Sequence, residues 1–258
     1  MSAEPSRPIL IAGPTASGKS ALALSVAERV RGVIINADSM QVYRELRVLT
    51  ARPSLEDEAS QPHLLYGHVA ASGAYSVARW LEDVRGALAV ARDMGRRPII
   101  VGGTGLYFKA LTEGLAPIPE IPPAVRAYWR EAAQNLAADE LHKLLEEKDP
   151  GMAARLAPPD RQRVTRALEV IDATGRSLAD WQAAPGTPVV PDFLGLVVDR
   201  PREELHARAD QRFDQMMDEG AVDEVQTLIS LGLSPDLPAM RALGVPALLA
   251  MVRGELSR

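Results

Sequence analysis

The sequence predicts an α/β fold in which a parallel sheet is flanked by helices and carries an all-helical insertion. Three observations predict it. Short apolar runs alternate with helical patterns, the signature of strand–helix–strand units and a parallel sheet. The first apolar run, Ile9-Leu10-Ile11-Ala12, opens directly into a glycine loop and then into Ala21-Leu22-Ala23-Leu24, a good helix start. The alternation breaks at Pro117-Ile118-Pro119-Glu120-Ile121-Pro122-Pro123, after which three helical segments follow with no strand between them.

The elements follow in order. Pro8–Ala12 reads as the first strand. Gly13-Pro14-Thr15-Ala16-Ser17-Gly18-Lys19-Ser20 then fits G-x-x-x-x-G-K-[ST] in a strand–loop–helix context, which makes the expected core P-loop NTPase-like. The backbone N–H groups of such a loop line a nest for phosphate oxygens, and the helix N-terminus adds about half a positive charge. Lys19 would reach the terminal phosphate and Ser20 would ligate Mg²⁺. The loop implies a phosphate ester or diphosphate, without saying which. Val33–Ala37 is a strand that ends at Asp38, and Leu64–Val69 is another candidate strand. Over residues 76–94, Val77, Leu81, Val84, Leu88 and Ala91 form one apolar helical stripe, and Gly95 stops it. Pro98–Val101 is a strand running into Gly102-Gly103-Thr104-Gly105 and a further helix. Helices are expected near 123–134, 139–147 and 160–174, and Pro185-Gly186-Thr187-Pro188 ends the insertion. The predicted division is therefore a core of residues 1–116 and 189–258 with a helical insertion at 117–188. Phe193–Val198 returns to the sheet, followed by helices at 201–219 and 221–231.

Composition bounds the function. The chain has 258 residues, 47% of them hydrophobic, a net charge of −5 and no cysteine. Disulfides, zinc-thiolate sites and catalytic thiols are excluded. The charge argues against a strongly basic nucleic-acid surface or a polybasic membrane anchor, though not against a local basic patch. The polar start and the short apolar run after it do not make a signal peptide, and no stretch approaches the roughly 20 apolar residues of a membrane helix. The expectation is a cytoplasmic, monomeric protein with no membrane contact. His63, His68, His142 and His206 show no metal-ligand spacing.

Four sets of residues can carry chemistry. Asp38 ends a strand, where parallel sheets bind ligands, and can serve a metal through water, act as a general base, or cap a turn. The Gly102–Gly105 turn and the Thr104 hydroxyl can contact a substrate, although such turns are common. On the helix at 160–174, Val164, Leu168 and Ile171 face inward, while Gln162, Arg163 and Arg166 fall within about 100° of one another. That basic face is either a solvated surface or a place to hold RNA. Arg208 and Arg212 share a helix face, with Arg202 nearby; they suit diphosphate binding or surface ion pairs with Glu203, Glu204 or Asp210.

Taken together these segments resemble the tRNA dimethylallyltransferase family. The matching pieces are Gly13–Ser20, Asp38–Tyr43 with Thr50-Ala51-Arg52-Pro53, Val101–Tyr107, Gln162-Arg163-Val164-Thr165-Arg166-Ala167-Leu168-Glu169, and Arg208–Glu224. The resemblance implies transfer of a dimethylallyl group from dimethylallyl diphosphate to the exocyclic N6 of the adenosine just 3′ of the tRNA anticodon, with Mg²⁺. It implies catalytic roles for Asp38, Thr15, Lys19 and Arg212. Donor binding would fall to Gly13, Pro14, Thr15, Ala16, Ser17, Gly18, Lys19, Ser20 and Arg212, and metal binding to Ser20. tRNA contacts would come from Asp38, Ser39, Met40, Gln41, Thr104, Arg126, Gln162, Arg163, Val164, Thr165, Arg166 and Arg241, with the insertion gripping the anticodon arm. Two departures stand out. After Arg241-Ala242-Leu243-Gly244 the family's usual aromatic and basic residues are replaced by Val245 and Pro246, and the chain stops at Arg258, before the basic, Trp-containing motif of the family. Weakened RNA affinity is the resulting expectation. Rival readings are a small-molecule kinase using ATP, a free-adenine-nucleotide prenyltransferase, and a non-catalytic RNA-binding relic.

Overall fold

Five short apolar runs become five parallel strands. In the computed structural model, which describes residues 7–256, β1 is Ile9–Ala12, β2 Gly32–Asn36, β3 His63–Leu64, β4 Arg97–Gly102 and β5 Leu194–Val197. Their order in the sheet is β3-β2-β4-β1-β5. The chain divides into two units: residues up to Thr112 together with those from Val189 onward, and Glu113–Pro188.

In the sheet unit, β1, β2 and β4 are central and buried, so they read as near-continuous apolar runs rather than alternating ones. β5 is an exposed edge. Helix α1 (Lys19–Val30) packs Ala23 and Ala27 against Ile9, Ile11, Ile34, Ile99 and Val101. After α2 (Leu55–Ser60) and β3 comes α3 (Val77–Asp93), whose N-cap Ser76 accepts the Arg79 N–H and whose buried Trp80 donates Nε1–H to the Asn36 carbonyl at 2.8 Å. Trp80 also stacks on Tyr107, with ring centroids 4.5 Å apart. Tyr107 belongs to α4 (Gly105–Glu113).

The expected strand Leu64–Val69 is much shorter. Pairing ends at Leu64, because Leu65 and Gly67 adopt left-handed φ values of 64° and 54°, which no strand continues. Val69 meets Tyr43 only through an isolated bridge.

The helical unit holds α5 (Pro123–Asn135), α6 (Ala138–Lys148), the short α7 (Pro150–Ala153), α8 (Arg161–Thr174) and α9 (Leu178–Ala183). Their own core gathers Ile121, Trp129, Leu141, Leu145, Val164, Leu168 and Leu178. Asp149 and Asp160 cap α7 and α8 through their carboxylates. The unit starts at Glu113 rather than 117, since Gly114 and Gly186 pass so closely that a Cβ on either would lie within 3 Å of the other's backbone.

Back in the sheet unit, α10 (Arg202–Asp218), α11 (Ala221–Ser230), a 3-10 turn (Pro238–Arg241) and α12 (Val245–Val252) complete the chain. Val245 and Pro246 begin α12, where a proline lacking its N–H costs nothing. A second core unites Val42, Tyr43 and Leu46 with Val225, Leu228, Ala239, Val245 and Leu248. Its polar fastening is Glu224, whose carboxylate accepts N–H from Arg47 (2.7 Å), Val48 (2.6 Å) and Leu49 (3.0 Å).

Gly102 sets how closely β4 approaches the end of β2: a Cβ there would fall 2.1 Å from the Ala37 carbonyl oxygen. Gly102→Ala is expected to cost about 1–3 kcal/mol of stability from forced overpacking. Urea unfolding followed by circular dichroism measures it.

Candidate functional site

The register of the sheet builds the site. Ala12 stands opposite Gly102, and Asn36 opposite Val101, so three strand ends lie level. The residues just beyond them are Gly13, Asp38 and Gly103. The open side of Gly103 looks onto the Gly13 carbonyl (3.4 Å from where a Cβ would sit), Lys19 Nζ (3.8 Å) and Asp38 Oδ2 (3.9 Å).

Asp38 is held firmly. Buried Asn36 accepts the Asp38 N–H at 2.8 Å and donates Nδ2–H to the Asp38 carbonyl at 3.0 Å and to the Leu65 carbonyl at 3.1 Å. Asp38 Oδ1 accepts the Met40 N–H at 2.9 Å, and Oδ2 is the oxygen beside Gly103. The Thr104 hydroxyl accepts the Ser39 N–H at 3.3 Å, so Thr104 braces the same turn. Burial, aided by the Asp38 charge, pushes the hydroxyls of Tyr66 and Tyr107 far above the ordinary tyrosine range, so both stay protonated.

The loop between β1 and α1 turns on Gly18, whose φ of 95° a side chain would resist. Lys19 Nζ donates to the Pro14 carbonyl at 3.2 Å, and Thr15 is exposed on the loop. Two arginines fasten the loop from outside: Arg200 Nε donates to the Ser17 carbonyl at 2.7 Å and Arg208 Nε to the Ala16 carbonyl at 2.9 Å. A cavity of about 340 Å³ opens here, lined by Lys19, Ser20, Arg208, Gln211, Arg212 and Gln215 with the loop backbone. Arg208, Arg212 and Gln215 recur at helical spacing on α10. Cations and a helix N-terminus equip this cavity to bind a polyanion, Arg208 being 3.8 Å from Glu204, while Asp38, beside Gly103 with Lys19, can accept a proton.

The other expected contact residues are distributed as follows. Met40 packs against the second core. Gln41 spends both amide N–H groups on the carbonyls of Thr50 and Ala51, each at 2.9 Å. Arg241 is ion-paired to Asp236, and Arg126 donates to the Ile121 carbonyl at 3.4 Å. In the helical unit, Val164 is wholly buried and the Thr165 hydroxyl donates to the Arg161 carbonyl, so the outward side chains of the 162–166 segment are Gln162, Arg163 and Arg166. Arg163 pairs with Asp160 at 2.7 Å, and Arg166 with buried Glu169 at 3.0 Å.

Sequence reasoning did not place Gln211 or Gln215 at the cavity, nor Arg200 and Arg208 on the loop carbonyls. The helical spacing of Arg208, Arg212 and Gln215 was the available signal for the first pair. For Arg200 there was none, since the Ser17 carbonyl is 183 residues away in sequence.

Lys19 carries an electrostatic burden that a ligand would relieve. Burial lowers its pKa below the ordinary 10.5, Asp38 opposes the shift and Arg212 adds to it. Between the lowered value and 10.5 the folded chain holds fewer protons here than the unfolded chain, so ligand-free stability rises with pH across that window. Lys19→Met is expected to flatten that rise and to leave ligand-free stability equal or higher, while abolishing binding of inorganic pyrophosphate. Denaturation at several pH values and calorimetry read the two effects.

Comparison with known proteins now gives the chain its relatives. The IPP transferase family model matches residues 41–258, and the Isopentenyl transferase model residues 7–67. The tRNA dimethylallyltransferase of Azorhizobium caulinodans is 55% identical over 252 residues, spanning 97% of this chain and 81% of its own length. Among solved structures, the tRNA isopentenylpyrophosphate transferase of Bacillus halodurans is 31% identical with a TM-score of 0.64, over 97% of this chain and 78% of that one. A eukaryotic dimethylallyltransferase captured acting on tRNA aligns with a TM-score of 0.76 at 27% identity, over 96% of this chain and 64% of that one. With a family model spanning most of its length and a relative more than half identical, the chain belongs to the tRNA dimethylallyltransferase family.

Proposed function

We propose that this protein transfers the dimethylallyl group of dimethylallyl diphosphate to N6 of the adenosine immediately 3′ of the tRNA anticodon. The observation that carries the proposal is the pairing of a cationic cavity with the strand-end Asp38, whose Oδ2 lies beside Gly103 together with Lys19 Nζ. The Gly13–Ser20 segment acts as a phosphate-binding loop. The donor's diphosphate sits over it, met by Lys19, the loop amides and Arg212. The allylic C1–O bond breaks and its electron pair leaves with the diphosphate; the N6–C1 bond forms, and the N6 proton passes to Asp38 Oδ2. Tyr66, which lines the neighbouring cavity, stays neutral and adds no competing anion near Asp38. A target base must leave its stack to reach such a site.

Magnesium fits the donor set modestly. Ser20 supplies a hydroxyl at the cavity, and among the described residues no group of three acidic, histidine or cysteine side chains could hold a metal. Mg²⁺ would then rest on Ser20, the diphosphate oxygens and water, as is usual for this ion, and would neutralise charge on the leaving group. The anticodon arm is assigned to Gln162, Arg163 and Arg166, with Arg126, on the helical unit. Among the described residues no helix is long and apolar enough to cross a membrane, and we place the reaction in the cytoplasm with the protein acting as a monomer.

The direct test incubates the protein with dimethylallyl diphosphate, Mg²⁺ and either unmodified tRNA or free AMP, followed by mass spectrometry of the nucleosides. Isopentenyladenosine is expected in the tRNA arm alone; product from AMP would overturn the reading, as would phosphate transfer in a parallel incubation with ATP. Asp38→Asn should lower turnover by about 10²–10⁴-fold while changing donor affinity little. Loss of Mg²⁺-dependent donor binding in that variant would instead assign Asp38 to the metal. Arg163→Ala combined with Arg166→Ala should weaken tRNA binding and reduce the salt slope by about one for each phosphate left without its arginine; an unchanged slope would leave that face a solvated surface.

A further inference from the structure

The turn Thr50-Ala51-Arg52-Pro53 has no part in the chemistry above, yet it borders a second cavity. That cavity, of about 330 Å³, has Ser20, Arg52 and Arg212 among its lining, together with the apolar Leu24, Ile34 and Val101. Ser20 and Arg212 also line the first cavity, so both open onto the same end of the glycine loop.

Arg52 is unusual among the cations here. Its side chain is only 7% exposed, and its Nε finds no hydrogen-bond partner. Its remaining contacts are long: Nη1 to the Arg44 carbonyl at 3.4 Å and Nη2 to Glu58 at 3.6 Å. Glu58 is itself gripped through both oxygens by Arg47 at 3.1 Å, so its charge is shared between two arginines. Burial presses the Arg52 pKa down, and Arg47 adds to the effect. A buried cation with an unmet donor is costly in a folded chain unless something else satisfies it.

The surroundings nevertheless fix Arg52 in place. Its N–H donates to the Arg47 carbonyl at 2.9 Å, and Gln41 holds the carbonyls of the two preceding residues. Gly67, at φ 54°, lies so close that a Cβ there would come within 2.0 Å of Nη1. Asp57, the acidic residue of the cavity lining, is already engaged: its Oδ2 accepts from Ser54 N–H at 3.1 Å and Ser54 Oγ–H at 2.8 Å.

We propose that Arg52 is a further ligand of the donor's diphosphate, a cation presented by the 50–53 turn on the Ser20 and Arg212 side of the loop. The inference rests on the reading of the loop as the donor site. It gives Gln41 and Glu224 a joint purpose, since both hold the segment that carries Arg52.

The test measures binding of magnesium pyrophosphate and of dimethylallyl diphosphate by calorimetry, beside ligand-free melting. Arg52→Gln should weaken both ligands about 10- to 100-fold, the loss expected for a charge-assisted hydrogen bond, with ligand-free melting little changed. Arg52→Lys should recover part of the affinity. Unchanged affinity for pyrophosphate in Arg52→Gln would overturn the proposal and leave Arg52 as a brace between Arg44 and Glu58. Should Arg52→Gln fail to fold, the wild type still decides: its Arg52 Nε–H resonance, identified by its loss in Arg52→Lys, should shift on addition of magnesium pyrophosphate, and a static resonance would overturn the assignment. If the wild type binds no pyrophosphate, the donor-loop reading itself falls; if it binds and Arg52→Gln binds equally, only Arg52 is removed from the site.

Discussion

Parallel registration of β1, β2 and β4 is the constraint on which the site depends. Ile99 on β4 lies opposite Ile9 on one side and Ile34 on the other, so the three strands end level. Only then do a glycine loop, a strand-end aspartate and a glycine turn, far apart in sequence, meet at one edge. Gly102 makes the meeting close, because a side chain there would run into the backbone of Ala37 just before Asp38. Ligands of parallel sheets gather at this edge because the backbone turns there from strand to loop and helix, exposing N–H groups and side chains together.

Electrostatics gives that edge its polarity. Lys19 and Arg212 are both partly desolvated, both have lowered pKa values, and both look to Asp38 for relief. Arg208 adds charge while tying α10 to the loop through the Ala16 carbonyl. Glu204 lies 3.8 Å from Arg208, which leaves Asp38 as the carboxylate that opposes the lowered pKa values of Lys19 and Arg212.

The helical unit separates an apolar face from a charged one along a single helix. On α8, Val164 and Leu168 enter the core, while Gln162 and Arg163 stay in solvent. Buried Glu169 holds Arg166 at 3.0 Å, and Arg130 of α5 lies 3.8 Å from its other oxygen. A carboxylate shared by two exposed arginines restrains their motion while leaving the three groups with a net positive charge.

The amino-acid sequence by itself determined the features governed by local spacing. The glycine loop, the strand ending at Asp38, the stripe of α3 and the two faces of α8 follow from an eight-residue motif, a short apolar run and a period of 3.6 residues, and all are visible along the chain. The short α7 and α9, with four and six residues, fall below what periodicity can resolve, and the reversal at Leu65 and Gly67 hides within an apolar run that reads as strand. Only the tertiary structure decided that Arg200 and Arg208 would fasten the loop, that Glu224 would cap a turn 177 residues away, and that Arg52 would be buried with an unmet donor. Those roles arise from contacts between segments remote in sequence, where the partner is chosen by sheet register and core packing, and neither leaves a local pattern in the residues that take part.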